Sequence, residues 1–154
     1  MTVDAPIDAN PRKRERAKAA NREAILAGAR LVFAEIGYDA ATVRDIIRRT
    51  DLAAGTFYNY FKSKEEVFQA LADDGARRFR PMLRHARESA DSFEAYLRLA
   101  VSAYFRFRVE EQAELGANAP SLRARASTPE MMAVFQEVRG GIEDIIARGL
   151  APPV

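Results

Sequence analysis

The sequence contains no cysteine, which excludes disulfides and thiolate metal sites and fits a reducing compartment. Its single histidine, His85, stands among Arg84, Ala86 and Arg87 with no second ligand at metal spacing. It reads as a solvated or half-buried surface residue, not as a metal ligand or a catalytic base. No apolar run reaches the ~18–20 residues that span a bilayer, and the N-terminus lacks the apolar core of a signal peptide. Neither a glycine-rich phosphate loop nor a G-x-S-x-G turn occurs, so two common sequence marks of enzymes are missing. The pairs Glu65-Glu66 and Glu110-Glu111 read as helix-surface charges. Strand patterns, internal repeats and low-complexity blocks are absent too. These absences leave a soluble, cytoplasmic chain with no catalytic residues, no cofactor and no metal expected.

What is present is apolar enough to fold. The chain has 154 residues, 48% hydrophobic and 30% charged, which suits one compact domain or a small head on a modest body. The net charge of +2 is unevenly spread: residues 1–64 hold 12 Lys/Arg against 8 Asp/Glu, and the remainder 12 against 14. The basic end suggests a polyanionic partner.

Helical periodicity dominates. Residues 1–11 are polar and proline-broken and read as a disordered tail. Arg12, Lys13, Arg14, Arg16, Lys18 and Arg22 follow in close succession. They form either an arm for a phosphate backbone or minor groove, or the solvated, frayed start of the first helix. Residues 1–20 are therefore expected to be a flexible basic arm. Ile25, Leu26, Ala29, Val32, Phe33 and Ile36 mark one face of a first helix, which Gly37 ends. Thr42 and Asp45 form a capping box for a short second helix with Val43, Ile46 and Ile47 inward. Asp51 tolerates the backbone of a tight turn, and Leu52 supplies an apolar plug. A third helix is predicted over 54–61, burying Phe57 and Phe61. Ser63 and Glu66 form another box opening a fourth helix, with a kink or break expected near Pro81.

A fifth helix starts near Asp91 or Ser92, uses Phe93, Tyr96, Leu97, Ala100, Val101 and Tyr104, and ends before Gly116. Residues 117–128 read as a loop. Thr128 and Pro129 start a last helix with the stripe Met131, Met132, Phe135, Val138, Ile142, Ile145 and Ile146. The chain is all-α, and three short helices with short joints fit a helix-turn-helix.

A recognition helix must present small or polar groups to base edges while neighbouring groups hold phosphates. Ala54, Gly55, Thr56, Tyr58, Asn59 and Tyr60 are not needed for the core stripe of Phe57 and Phe61. Gly55 and the alanines allow close approach to a groove. Thr56 and Asn59 are candidates for base edges, asparagine suiting adenine. Tyrosine hydroxyls and the Lys64 ammonium suit phosphate oxygens. Thr42 and the start of the second helix offer backbone N–H groups to a second phosphate.

With these residues in view, the segment from 25 to about 71 resembles the TetR (tetracycline-repressor) family of bacterial transcriptional regulators. The likeness rests on GTFYNYFKSKEEVF, Gly37-Tyr38 and TVRDI at residues 42–46. It implies that Thr42, Val43 and Arg44 meet the backbone and edge of a DNA site, that residues 54–60 are the recognition helix, that Tyr58 and Tyr60 lie near phosphates, and that Lys64 clamps one. The chain departs from the family pattern at Asp51, where glycine is common, and at Ala53, where a serine-like cap is usual. A lost cap side chain costs on the order of 1 kcal/mol.

The resemblance also implies an architecture: a helix-turn-helix head (21–68) joined by a linking helix to a ligand-binding and dimerisation body (69–154). The expected function is sequence-specific binding to double-stranded operator DNA, as a repressor released by a small apolar or amphipathic effector. Phe79, Met82, Tyr96, Tyr104, Phe107, Met131 and Phe135 are the candidates for a ligand pocket, the alternative being plain core. In the family, two dimer-forming helices follow a helix such as 129–149. The body is accordingly expected to be C-terminally short or incomplete, and the full-length form a homodimer. A protein-interaction module and a sequence-indifferent architectural DNA binder are the other two readings of the head.

Overall fold

The computed structural model describes residues 10–116 and 128–150. The expected tail before Asn10, the loop over 117–127 and the Pro152-Pro153 ending lie outside these residues. The described residues form α1 (Pro11–Ile36), α2 (Val43–Arg48), α3 (Ala54–Tyr58), α4 (Lys64–Ser89), α5 (Phe93–Leu115) and α6 (Pro129–Ala147), with no strand among them.

Capping residues set most boundaries. Asn10 accepts a hydrogen bond from the Arg12 N–H at 3.0 Å, and Pro11 takes the first helical position. Residues 11–20 are therefore helical, not the flexible arm predicted, and every one of their side chains is exposed. Alanines 17, 19 and 20 among arginine and lysine are strong helix formers, so the packed part of α1 propagates backwards without tertiary support. Thr42 closes the predicted capping box on α2: Asp45 N–H donates to its hydroxyl, and Asp45 Oδ2 accepts from its N–H and hydroxyl. The box at Ser63 is only half formed. Glu66 N–H donates to Ser63 Oγ, but the Glu66 carboxylate accepts from Lys62 N–H at 2.7 Å.

The turn between α2 and α3 also differs from expectation. Its hydrogen bonds run through Thr50, whose hydroxyl donates to Ile47 O at 2.8 Å and accepts from Leu52 N–H at 3.2 Å. The Thr50 side chain thus supplies turn hydrogen bonds that the reading of Asp51 did not include. As expected, Ala53 gives α3 no side-chain cap. α3 ends at Tyr58, short of the predicted 61, and its last turn closes through Tyr60 N–H and Phe61 N–H to Phe57 O.

α4 continues as helix through Pro81, so of the kink or break predicted there the break does not occur. Proline costs roughly 3 kcal/mol inside a helix; here buried Phe79 and Leu83 flank it and pin both sides. The same helix carries two cores. Phe68, Leu71 and Ala72 join Ile25, Leu26, Phe33, Ile46, Phe57 and Phe61 in the head. Ala76, Phe79 and Leu83 join Ala103, Phe107, Met131 and Val134 in the body. The change falls between Ala72 and Ala76, later than the predicted 68. α5 reaches back as well: its last residue, Leu115, is buried in the head core. Gly116 follows at φ +84°, where an added Cβ would stand 2.8 Å from Phe33 O. Only glycine combines that backbone with that approach. Arg78 and Glu114 form a two-pronged ion pair at 2.8 and 3.0 Å that ties α4 to α5 just below this junction.

α6 lies along α4, and its end is clasped by Arg148, which donates to Ala90 O and Arg87 O. Tyr96 of α5 is buried and donates to Val138 O of α6 at 3.3 Å. The predicted apolar stripes of α5 and α6 divide in two. On α6, Met131, Val134, Gly141 and Ile145 are buried, whereas Met132, Phe135, Ile142 and Ile146 are exposed. On α5, Tyr96, Ala103 and Phe107 are buried, whereas Leu97, Val101, Tyr104 and Phe105 are exposed. Residues one position apart sit about 100° apart on a helix, so the two adjacent stripes cannot share one face.

Candidate nucleic-acid interface and apolar cavity

The interface begins with Phe57. It is fully buried in the head core and fixes the rotation of α3, leaving Ala54, Gly55, Tyr58 and Asn59 outward. Tyr58 packs edge-on against Phe57, ring centroids 5.3 Å apart, and is 56% exposed. Nothing stands within 4 Å of the position a Gly55 Cβ would take. Thr56 and Tyr60 are half-buried. The Tyr60 hydroxyl accepts from Asn21 of α1 at 3.3 Å, so it is tied to the scaffold while keeping its own proton for donation. α2 adds exposed Thr42 and Arg44 and half-buried Val43.

Two expectations change here. The amide of Thr42 is already bonded to the Asp45 carboxylate at 3.0 Å, so it cannot serve a phosphate as well. Hydrogen bonds from the Thr42 side chain and backbone hold the Asp45 carboxyl below its ordinary pKa, with Arg48 and Arg44 adding to the effect. The Lys64 ammonium, assigned to a phosphate, donates to Tyr38 O at 2.8 Å and Asp39 O at 3.0 Å and lies 4.6 Å from the Tyr38 ring centroid. Its first role is to hold the loop after α1 against α4, with one N–H left over.

Arg48 and Lys62 are further exposed cations of the head that sequence reasoning did not single out. Arg48 follows Arg44 by one helical turn, and that spacing was the available signal. Arg49 differs: Glu35 of α1 pairs with it.

In the body, a cavity of about 310 Å³ lies between α4, α5 and α6. Phe79, Tyr96, Tyr104, Phe107, Met131 and Phe135 line it, six of the seven residues predicted. Met82 does not; it faces a separate groove of about 320 Å³ with Pro81, His85, Leu99 and Arg106. Leu83, one turn on from Phe79, takes its place. Phe79 and Phe107 stack at 4.6 Å to form the floor, and Gly75 admits the Phe107 ring. Burial raises the Tyr96 pKa, and its hydroxyl is used on Val138. The lining therefore offers carbon and aromatic faces, open to solvent where Leu97, Val101, Phe135 and Ile142 are exposed. Leu97, Ala100 and Val101 were assigned to the helix core but not to the cavity. Ala100 stands four residues from both Tyr96 and Tyr104, and Val101 four from Leu97 and three from Tyr104, spacings that carried that information.

Among the described residues no helix is long and apolar enough to cross a membrane, and no group of three His, Cys, Asp or Glu side chains is placed to hold a metal ion.

Residues 25–71 match the family model for bacterial regulatory proteins of the tetR family. The HTH-type transcriptional repressor Rv1474c of Mycobacterium tuberculosis is 41% identical over 68 residues, covering 44% of this chain and 36% of the repressor. The chain thus spans about a third of the length of curated relatives such as this one. An uncharacterised HTH-type regulator of Bacillus subtilis, YhgD, is 25% identical over 142 residues, covering 86% of this chain and 72% of that protein. Among solved structures, the fatty acid degradation regulator FadR of Bacillus halodurans superposes with a TM-score of 0.53 at 24% identity, over 83% of this chain and 63% of FadR. At that identity the likeness concerns the fold alone.

Proposed function

From the match of residues 25–71 to the model of the tetR family of bacterial regulatory proteins, we propose that this chain is a sequence-specific regulator of transcription, acting in the cytoplasm on double-stranded operator DNA. It is a repressor, not an enzyme, and a small apolar or amphipathic effector releases it. The observation that carries the DNA reading is the outward face of α3. A head that buries its phenylalanines leaves Tyr58 and Asn59 exposed beside a bare Gly55, with Arg44 and Arg48 on the adjoining helix. Small groups permit close approach, Asn59 suits a base edge, and Tyr58 and the arginines suit phosphates.

The effector reading rests on the cavity. Its lining is apolar, and Phe79 on α4 and Phe107 on α5 form its floor. Both helices continue into the head core, α4 through Leu71 and α5 through Leu115. A ligand that spreads α5 from α4 would move the head only by favouring a spacing that fits DNA poorly. Dimerisation follows from the same reading, because one helix-turn-helix reads only one half-site. The exposed stripe Met132, Phe135, Ile142 and Ile146 of α6 offers an apolar seam for a second copy.

Duplex binding measured across salt tests the head. Affinity is expected to fall steeply as salt rises, and Tyr58→Ala is expected to weaken it. Binding that is insensitive to both would refute the assigned surface. Thermal-shift screening with apolar acids and alcohols, repeated with bound duplex, tests the cavity: compounds that stabilise the protein yet never alter duplex affinity would remove the coupling.

A further inference from the structure

We infer that the N-terminal half of α1 is a second DNA-gripping element, a helical basic prong whose Arg14 and Lys18 hold phosphates flanking the site read by α3. This rests on the DNA-binding reading of the head and adds to it a contact outside the helix-turn-helix.

Position comes first. Asn21 Nδ2 donates to the Tyr60 hydroxyl at 3.3 Å, and the Arg22 guanidinium carbon stands 5.9 Å from the Phe61 ring centroid. Residues 21 and 22 of α1 therefore abut the closing turn of α3, at the edge of its exposed face. Residues 11–20 continue from that junction as helix, every side chain exposed and none within a core cluster. At 1.5 Å per residue they extend about 15 Å, the length of roughly four base pairs.

Charge comes second. Between residues 11 and 20 stand Arg12, Lys13, Arg14, Arg16 and Lys18 against one acid, Glu15. Lys18 and Glu15 are 3.8 Å apart with both side chains largely exposed, a pair that costs little to break. The helix dipole sharpens the case. α1 has no acidic residue in its first turn, whereas α2, α4, α5 and α6 each have at least one. Arg12, Lys13 and Arg14 crowd the positive end of the dipole, an arrangement that a polyanion relieves.

Register decides which cations face the DNA. At about 100° per residue, Arg14 and Lys18 fall within about 60° of Asn21, the residue that meets Tyr60. Arg12 and Arg16 fall on the opposite side of the same helix. The prong thus contains its own control, two pairs of equal charge change, with Arg12 and Arg16 each two residues farther from the head than Arg14 and Lys18.

The experiment compares R14A/K18A with R12A/R16A on a mixed-sequence duplex of ~30 base pairs, across salt. Alanine is a strong helix former, so circular dichroism should confirm that both variants keep their helix. R14A/K18A is expected to lower the slope of log affinity against log salt by about 1.8, two phosphate contacts, and R12A/R16A by less than half of that. Equal losses in the two variants would overturn the proposal, showing a diffuse field and no contact. No loss in either would overturn it as well. Tyr58→Ala in the same assay separates this from the premise, because Tyr58 is the exposed phosphate-facing group of α3. If it too is silent, the head reading fails; if it weakens binding while the prong variants do not, only the prong fails.

Discussion

The head and the body are built from the same helical periodicity and use it differently. In the head, Ile46 of α2, Phe57 of α3 and the buried face of α1 converge on one core, and what α2 and α3 leave exposed is small or basic apart from Tyr58. In the body, α5 and α6 each carry two apolar stripes, one buried against α4 and one exposed around a cavity. A helix with one apolar stripe is finished when it packs once. A helix with two still has a face to cover, by ligand or by partner. The contrast separates a rigid reading surface from a body whose packing can respond.

The comparison breaks first at its most buried point. Phe57→Ala removes a fully buried ring from the head core and is expected to cost about 3–5 kcal/mol in chemical denaturation. Phe135→Ala, half-exposed at the cavity mouth, is expected to cost below about 1 kcal/mol while weakening the binding of an apolar ligand. Similar costs for the two would erase the distinction between finished and unfinished faces.

Gly116→Ala tests whether the head is autonomous. The glycine belongs to the end of α5, yet an added Cβ would meet Phe33 O of α1 at 2.8 Å with the backbone at φ +84°. A loss of about 1–3 kcal/mol is expected, appearing as a lower midpoint of head unfolding. An unchanged midpoint would mean that α5 does not brace the head.

Thr42→Ala removes the cap of α2 and should cost about 1 kcal/mol. The cap also sets a pH dependence. The Thr42 hydroxyl and amide favour ionised Asp45, and its pKa is lowered in the folded state. Its contribution is therefore complete at neutral pH and is lost as pH falls through that lowered value, beneath the ordinary carboxylate range. Thr42→Ala should flatten the acid limb of a stability-versus-pH curve; an unaltered limb would remove the cap from the account.

The smallest effect has opposite signs. Gly55→Ala adds a methyl into open space on an exposed helix and should stabilise the head by about 0.5–1 kcal/mol. The same methyl should weaken duplex binding if the backbone of α3 approaches a groove. Stabilisation without loss of affinity would show that Gly55 faces away from DNA.

Much of the head was legible in the sequence because local signals agreed there. Thr42–Asp45 is a capping box, Gly37 a terminator, and Phe57 and Phe61 set the rotation of α3. What escaped were contacts between residues far apart in the chain. Nothing local distinguishes a Lys64 that holds the carbonyls of Tyr38 and Asp39 from one free for a phosphate. The turn was legible at Asp51, but the side-chain bond from Thr50 that helps to form it leaves no periodic trace. In the body, the seven pocket candidates came from the family resemblance, and six of them line the cavity. Periodicity could not divide Met131 from Met132, since adjacent apolar positions merge into one broad stripe until a neighbouring helix buries one of them.

The central claim is that the outward face of α3 reads base sequence. Selection of bound genomic fragments, run in parallel on the wild type and on Asn59→Ala, tests it most directly. The account predicts a preferred sequence for the wild type and, for Asn59→Ala, loss of preference at one position with the rest retained. Uniform weakening on every sequence, or no preferred sequence for the wild type, would contradict it and leave an architectural binder in its place.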